Sequence, residues 1–204
     1  FNDLYWTGSG NPDLKPESSY QAEIGNEFKY KDFRLTVTAY GMKIKDMIRW
    51  LPNNSGNWSP ENTDKVTIYG AEALLGWRKS FNKHTFDFSG TYAYTVSTDD
   101  KTNKQLFYVP YHKLTGSLSY YYKKLSAYYQ VMFTGEIFTT SDNNPKDILD
   151  AYNVSNIGVD YNFSKKNMFK IGVKAANLWN EKYEALPSRY MPGRNLTIYL
   201  NLNY

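Results

Sequence analysis

The residues best equipped for chemistry are few and scattered. The chain carries two histidines, His84 and His112, and no cysteine. Neither histidine has an acid and a nucleophile near it in a recognisable catalytic spacing. The lack of cysteine excludes a disulfide framework, a thiolate metal site and a cysteine nucleophile. Asp142-Asn143-Asn144, with Asp147 and Asp150, crowds oxygen donors of the kind that hold calcium. The spaced ligands and the glycine of a calcium loop are lacking, so a solvated turn is the plainer reading. No catalytic residue, no metal ligand and no cofactor is assigned, and the expectation is that the protein is not an enzyme.

Aromatic surface is the remaining means of holding a small molecule. Trp50, Trp58, Phe138 and Tyr190 fall in or beside long polar stretches, and they are the candidate substrate-binding residues. Rings there either stack on a bulky substrate or join an aromatic belt and pack the loops. Glu23, Glu27, Glu72, Lys170 and Lys174 sit on the polar side of alternating segments, where pairing across strands is the favoured role.

The elements that must carry these residues have a period of two. Leu196, Ile198, Leu200, Leu202 and Tyr204 alternate with Asn195, Thr197, Tyr199, Asn201 and Asn203, which makes one apolar and one polar face of a strand. The same rhythm runs through 169–175, 125–134, 114–122 and 86–94. Less regular strands fit 18–30, 33–48, 65–81 and 151–163, about nine in all, and no helical period is sustained. Tight connections at 31–32, 82–83, 123–124 and 164–167 alternate with long polar ones at 51–64, 97–112, 136–150 and 178–194. All short turns therefore lie at one end of the sheet and all long loops at the other.

Aromatics flank the short turns: Phe28, Tyr30, Phe33, Trp77, Phe81, Phe86, Tyr120, Tyr122, Tyr161, Phe163, Phe169 and Tyr204. Such a row is what a headgroup boundary selects. Composition agrees, with 5 Trp, 20 Tyr and 11 Phe making up 18% of 204 residues and only 22% charged. So many rings exclude a disordered chain, and a net charge of +4 is too slight to argue for nucleic acid. No apolar run is long enough for a membrane helix, which leaves a membrane β-barrel open. Alternation alone cannot separate that barrel from a soluble β-sandwich; the turn asymmetry and the aromatic row favour the barrel. Phe1-Asn2-Asp3-Leu4-Tyr5 has no basic start and no apolar stretch of an export signal. The expectation is thus either a cytoplasmic protein or a piece of something longer, and nine strands close badly enough to favour an incomplete barrel.

Four segments are more specific. Gly10-Asn11-Pro12-Asp13-Leu14-Lys15-Pro16-Glu17 resembles a stretch that precedes a late barrel strand in TonB-dependent outer-membrane receptors, and Phe1–Tyr5 fits the same stretch. Ile68-Tyr69-Gly70-Ala71-Glu72 is similar to the family's strand entry. Ala176-Asn177-Leu178-Trp179-Asn180-Glu181-Lys182-Tyr183-Glu184, followed by Met191-Pro192-Gly193-Arg194 and a strand ending in Tyr204, resembles its C-terminal signature. The matching positions, Asn11, Pro12, Leu14, Pro16, Glu17, Gly70, Glu72, Asn177, Leu178, Gly193, Arg194 and Tyr204, are expected to be structural. No position transfers as an established ligand contact.

The resemblance covers essentially the whole chain. It implies an all-β, antiparallel, up-and-down transmembrane barrel segment, about nine strands of a larger 22-stranded barrel. Residues 1–204 would be its C-terminal part, with the plug domain and earlier strands absent. It further implies a Gram-negative outer-membrane receptor that takes up a scarce bulky nutrient. The spacing looks most like the cobalamin-receptor branch, with ferric-siderophore and haem receptors close behind. A soluble β-sandwich binding module and an outer-membrane barrel enzyme are remoter. Expected partners are outer-membrane lipid, the TonB complex through an N-terminal part, the assembly machinery through the C-terminal strand, a surface lipoprotein and the nutrient.

Overall fold

The computed structural model describes residues 2–52, 56–163 and 169–202. After a four-residue helical turn α1 (Asn2–Tyr5), the chain is built of strands. They are β1 (Ser18–Tyr30), β2 (Phe33–Pro52), β3 (Trp58–Phe81), β4 (His84–Asp99), β5 (Lys104–Gln105), β6 (His112–Tyr122), β7 (Leu125–Thr134), β8 (Ile137–Phe138), β9 (Ile148–Leu149), β10 (Tyr152–Asn162), β11 (Phe169–Ala176), β12 (Glu184–Leu186), β13 (Arg189–Tyr190) and β14 (Asn195–Leu202). Nine long strands form one sheet in the order β1-β2-β3-β4-β6-β7-β10-β11-β14, every pair antiparallel. Each strand lies beside its sequence neighbour, which is an up-and-down meander without crossovers. Among the described residues β1 and β14 do not pair, so the sheet is an open arc.

The tight turns set the register. Tyr30 faces Phe33, Phe81 faces His84 and Tyr122 faces Leu125. The first residue of each two-residue turn is left-handed: Lys31 at φ 52, Asn82 at φ 54 and Lys123 at φ 52. Because side chains alternate with period two, this register fixes a single face for every residue. Leu196, Ile198, Leu200 and Leu202 sit opposite Ala175, Val173, Ile171 and Phe169. The outward series then passes through Val159 and Ile157 to Tyr129 and Ala127, and on through Leu118 and Phe88 to Trp77 and Phe33. This face stays exposed in the chain alone, with Ile198 at 70%. Lipid satisfies such a face without a second layer, while the ladders satisfy the backbone.

Two aromatic girdles bound the apolar band, and both histidines belong to them. At the tight-turn end His84 stacks on Phe81 and Tyr122 at 5.7 and 4.5 Å and shares a 2.8 Å hydrogen bond with the Tyr120 hydroxyl. Phe163 stacks on Phe169 at the same level. At the loop end His112 packs on Tyr94 at 5.1 Å and hydrogen-bonds Tyr92 at 2.8 Å. A ring with a polar tip suits a boundary between hydrocarbon and water.

The inward face is polar and partly paired. Glu27 bridges Lys29 and Arg34, Arg78 meets Asp87, and Lys170 lies 3.8 Å from Asp160. Glu23, Glu72 and Lys174 make no ion pair among the described residues, so cross-strand pairing covers only Glu27 and Lys170 of the five expected charges. Three inward tyrosines each face a glycine across the ladder: Tyr40 faces Gly70, Tyr128 faces Gly158 and Tyr199 faces Gly172. A Cβ at Gly158 would overlap the Tyr128 ring, standing 2.6 Å from its Cζ, so the absent side chain is what lets the ring lie against the sheet.

The long connections carry the short pairs β5, β8–β9 and β12–β13, and the first connection differs most from expectation. Residues 51–64 are mostly not a loop: β2 runs on to Pro52 and β3 begins at Trp58, so the hairpin projects beyond the membrane band. Strands 33–48 and 65–81 are correspondingly longer than their alternation suggests. Upper positions such as Glu61, Asn62 and Thr63 carry no apolar face, and backbone pairing together with side-chain bonds from Asn62 sustains them. The turn at 164–167, with Tyr204 and Phe1, lies outside the described residues. The buried apolar side chains Val66, Val96, Leu106, Ile137, Leu149 and Val154 all lie in or beside the loop-end connections. The core of this chain is therefore under its loops, not in its sheet.

Candidate functional site

The loop end is assembled by long-range polar bonds. Asn11 donates from Nδ2 to the Pro60 carbonyl at 3.1 Å and accepts from the Asp13 amide at 3.0 Å. Lys15 and Asn62 exchange two bonds of 2.8 and 3.0 Å, and the Glu17 carboxylate accepts from the Ile48 amide at 2.5 Å. The Gly10–Glu17 segment thus clamps the projecting hairpin, giving Asn11 and Glu17 structural work, while Pro12, Leu14 and Pro16 lie between them. Gly10 has no room for a Cβ, which would sit 2.7 Å from the Leu4 carbonyl.

The C-terminal connection is built on two asparagines. Asn177, 4% exposed, donates to the Glu181 and Pro192 carbonyls at 2.8 and 3.2 Å and accepts from the Glu181 amide at 2.7 Å. Asn180 accepts from the Arg194 amide at 2.9 Å, and Gly193 leaves space for its side chain. The Leu178 amide donates to Ser155 at 2.7 Å, tying this loop to β10. Gly70 admits the Tyr40 hydroxyl, itself bonded to Thr95 at 2.8 Å, and Glu72 faces inward two residues below.

The four candidate aromatics do not converge on one pocket. Trp50 is in β2 and donates from its indole nitrogen to Asp3 at 2.7 Å, so it anchors the N-terminal segment. Phe138 is in β8, and its carbonyl accepts from the Tyr108 amide at 2.8 Å. Trp58 is half-exposed and meets Phe107 edge-to-face at 6.5 Å. Tyr190 is 80% exposed on β13. There it helps line a cavity of about 310 Å³ with Asp150, Tyr152, Lys182 and Tyr183. Tyr152 and Tyr183 pack within it, their rings tilted by 33° with centroids 4.5 Å apart. Burial holds the Tyr183 phenol above its usual range, and the neighbouring Glu184 carboxylate does the same for Tyr190.

Phe107 is the hub that sequence reasoning missed. The Arg49 guanidinium lies 4.9 Å over its ring and 3.5 Å from Asp99, with Trp58 and Tyr108 on its other sides. Burial lowers the Arg49 pKa, and Asp99 works against that shift. The sequence offered only an aromatic pair, Phe107-Tyr108, inside a polar stretch. In the oxygen-rich 142–150 stretch Asn144 bonds Asp147 at 2.9 Å and Asp142 and Asn144 accept from nearby amides, while Asn143 reaches across to Gln105. Together these groups make an aromatic and polar surface suited to a large polar molecule with flat or apolar faces. They place no acid, base and nucleophile together.

Comparison with known proteins agrees with this architecture. Residues 1–178 match the TonB dependent receptor-like β-barrel family. The Vitamin B12 transporter BtuB of Photobacterium profundum is 32% identical over 189 residues, covering 91% of this chain and 30% of that protein. The Vitamin B12 transporter BtuB of Vibrio vulnificus is 28% identical over 209 residues, covering 100% of this chain and 32% of that protein. The chain thus spans about a third of the length of these relatives. Among solved structures, the copper transporter OprC superposes with a TM-score of 0.77 at 16% identity over 98% of this chain and 33% of that one. That likeness speaks for the fold.

Proposed function

Since the chain belongs to the TonB-dependent receptor family, as part of its outer-membrane β-barrel, we propose that the complete protein imports a scarce bulky nutrient, cobalamin foremost. Transport would be energised through TonB and would leave the substrate chemically unchanged. The observation that carries this reading is the identity of 32% and 28% to two vitamin B12 transporters along nearly the whole chain. The loop end supports it, since it offers stacking surface and hydrogen-bonding groups and, among the described residues, no catalytic constellation. Trp58 and Tyr190 are the candidates for substrate contact, whereas Trp50 and Phe138 hold neighbouring segments in place. The strands here would be the last of a 22-stranded barrel, with a plug, a TonB-contacting segment and a surface lipoprotein supplied from beyond this portion.

Titration of the full-length receptor with cobalamin, haem and a ferric siderophore tests the ligand. Tight binding of cobalamin alone is expected. Tight binding of haem or siderophore without cobalamin would overturn the ligand and keep the transporter. Uptake that survives loss of TonB would overturn the transporter.

A further inference from the structure

The charges of the inward face are segregated. On β1, β2 and β3 the inward positions include Glu23, Glu27, Lys29, Arg34, Glu72 and Arg78, and Asp87 at the tight-turn end of β4 pairs back to Arg78 at 3.5 Å. A second charged sector, Asp160 with Lys170 and Lys174, lies on β10 and β11. Between them the wall is neutral. From Ser89 to Thr95 on β4, Thr115 to Tyr121 on β6, Ser126 to Thr134 on β7 and Val154 to Gly158 on β10, no inward position is charged.

Hydroxyls line the middle of that neutral wall. Thr91 faces Thr115 and Ser89 faces Ser117 across the β4–β6 ladder, and the two threonine hydroxyls share a 2.6 Å hydrogen bond. Thr85 and Thr95 extend the column along β4, ten residues apart. At ~3.3 Å per residue and a ~40° tilt, that is roughly 25 Å, the height of an outer-membrane barrel's apolar band. At the head of the column Ser97, on the same face, is 2% exposed, and its Oγ has no hydrogen-bond partner among the described residues. Small side chains hollow the wall: a depression of about 300 Å³ lies against Ser89, Thr91, Thr115, Ser117, Gln130 and Asn156. A second, of about 390 Å³, shares Ser89 and runs on past Gly76 to Asp32 in the tight turn. The seam is therefore open from mid-wall to the tight-turn end.

The sectors differ in how firmly they hold a neighbour. Hydrogen bonds to ionised groups are roughly twice as strong as neutral ones, and Glu23, Glu72 and Lys174 make no ion pair among the described residues. The charged sectors can therefore grip a body that fills the lumen. A hydroxyl rotates to donate or to accept, and each bond to it is worth little net. A row of weak sites is what lets a molecule both enter and leave.

We propose that the β4–β6 seam is the track along which the nutrient crosses the barrel, between two charged sectors that hold the plug; the inference rests on the transport reading given above. The track suits a molecule edged with uncharged amides or hydroxyls, as cobalamin is by its carboxamides, because every edge group finds a donor or an acceptor at each step. Ser97 offers its unpartnered hydroxyl at the entrance.

The test uses the full-length receptor in cells, with labelled cobalamin. Ser89→Ala, Thr91→Val, Thr115→Val and Ser117→Ala together remove four hydroxyls at nearly constant shape. Uptake with TonB present is expected to fall on the order of tenfold, while surface binding measured without TonB stays within about twofold of wild type. Thr36→Val with Thr197→Val, in the strands that carry or adjoin the charged sectors, keeps wild-type uptake. Should the quadruple variant fail to assemble, Ser97→Ala decides: it breaks no side-chain bond and is expected to lower uptake about threefold. Undiminished uptake in these variants overturns the track and leaves the transporter, whereas absence of TonB-dependent uptake in the wild type overturns both. An equal fall in the control pair, or a parallel loss of surface binding, also overturns the track. So does entry of a large antibiotic into variant cells lacking TonB, because the seam would then be holding the plug.

Discussion

Asn143 and Gln105 hold each other across two loops. The Gln105 amide donates to Asn143 Oδ1 at 2.8 Å, and Asn143 Nδ2 returns a 2.8 Å bond to the Gln105 carbonyl. Gln105 is 4% exposed, and its side chain also accepts from the Ser97 amide and donates to the Val109 carbonyl. The β4–β6 and β7–β10 connections therefore move as one body. Asn143→Ala leaves two buried backbone groups unpaired, at about 1–3 kcal/mol of local stability. Hydrogen exchange on the full receptor should show faster exchange through 104–109 with the sheet unchanged. Exchange equal to wild type would dissolve the latch.

On the inward face, the Tyr128–Gly158 pair makes a sharper prediction. A Cβ at Gly158 overlaps the Tyr128 ring, so Gly158→Ala should destabilise the barrel by about 1–3 kcal/mol. Removing the ring in Tyr128→Ala should cancel most of that penalty, which denaturant unfolding of the two single variants and the double variant would read as coupling. Additive losses would mean that the ring does not rest on the glycine.

The contrast between these pairs explains what a sequence can show. Leu196 to Leu202 alternate because one face meets lipid, and the tight turns follow from the spacing between alternating runs, so the sheet and its polarity were legible. The upper hairpin was not. Arg49, Glu61 and Asn62 present no apolar face, so no period marks the strands that carry them. Trp50 read as a loop aromatic because its partner, Asp3, lies 47 residues away. The Arg49, Asp99 and Phe107 cluster likewise depends on three separate segments meeting, which no local spacing records.

That cluster contains a charge pair with little access to water: the Arg49 side chain is 9% exposed and that of Asp99 16%. Asp99→Asn strands the guanidinium over the Phe107 ring, where breaking a buried pair costs about 3–5 kcal/mol. The hairpin above the membrane should loosen, seen as protease cleavage near 56–62 in intact cells. Replacing Arg49 by Met together with Asp99→Asn should restore protection. Cleavage that persists in this double variant would show that the pair serves packing rather than charge.

Orientation can be read directly, because this portion has no native cysteine. Ser141→Cys in the β8–β9 connection should react with a membrane-impermeant maleimide on whole cells expressing the full receptor. Lys83→Cys, in the turn between β3 and β4, should react only after the outer membrane is permeabilised. The reverse pattern would turn the barrel over.

The final strand closes the argument from pairing to assembly. β14 contributes eight residues of ladder to β11, from Ala176↔Asn195 to Phe169↔Leu202. Its outward residues Leu196, Ile198, Leu200 and Leu202 are all more than half exposed in this chain, so the strand's other edge and its apolar face both await neighbours. Deleting residues 195–204 from the full receptor leaves β11 as an unpaired edge at membrane depth, where no water can satisfy its amides and carbonyls. The truncated protein should fail to reach the outer membrane and should accumulate as aggregate or degraded chain, measured by fractionation and by heat-modifiable gel migration. A milder change separates pairing from recognition. Ile198→Asn keeps the ladder but puts an amide on the lipid face, so it should lower outer-membrane yield without abolishing it. Normal yield of the truncation would show that β14 is dispensable for closure and that another strand pairs with β11.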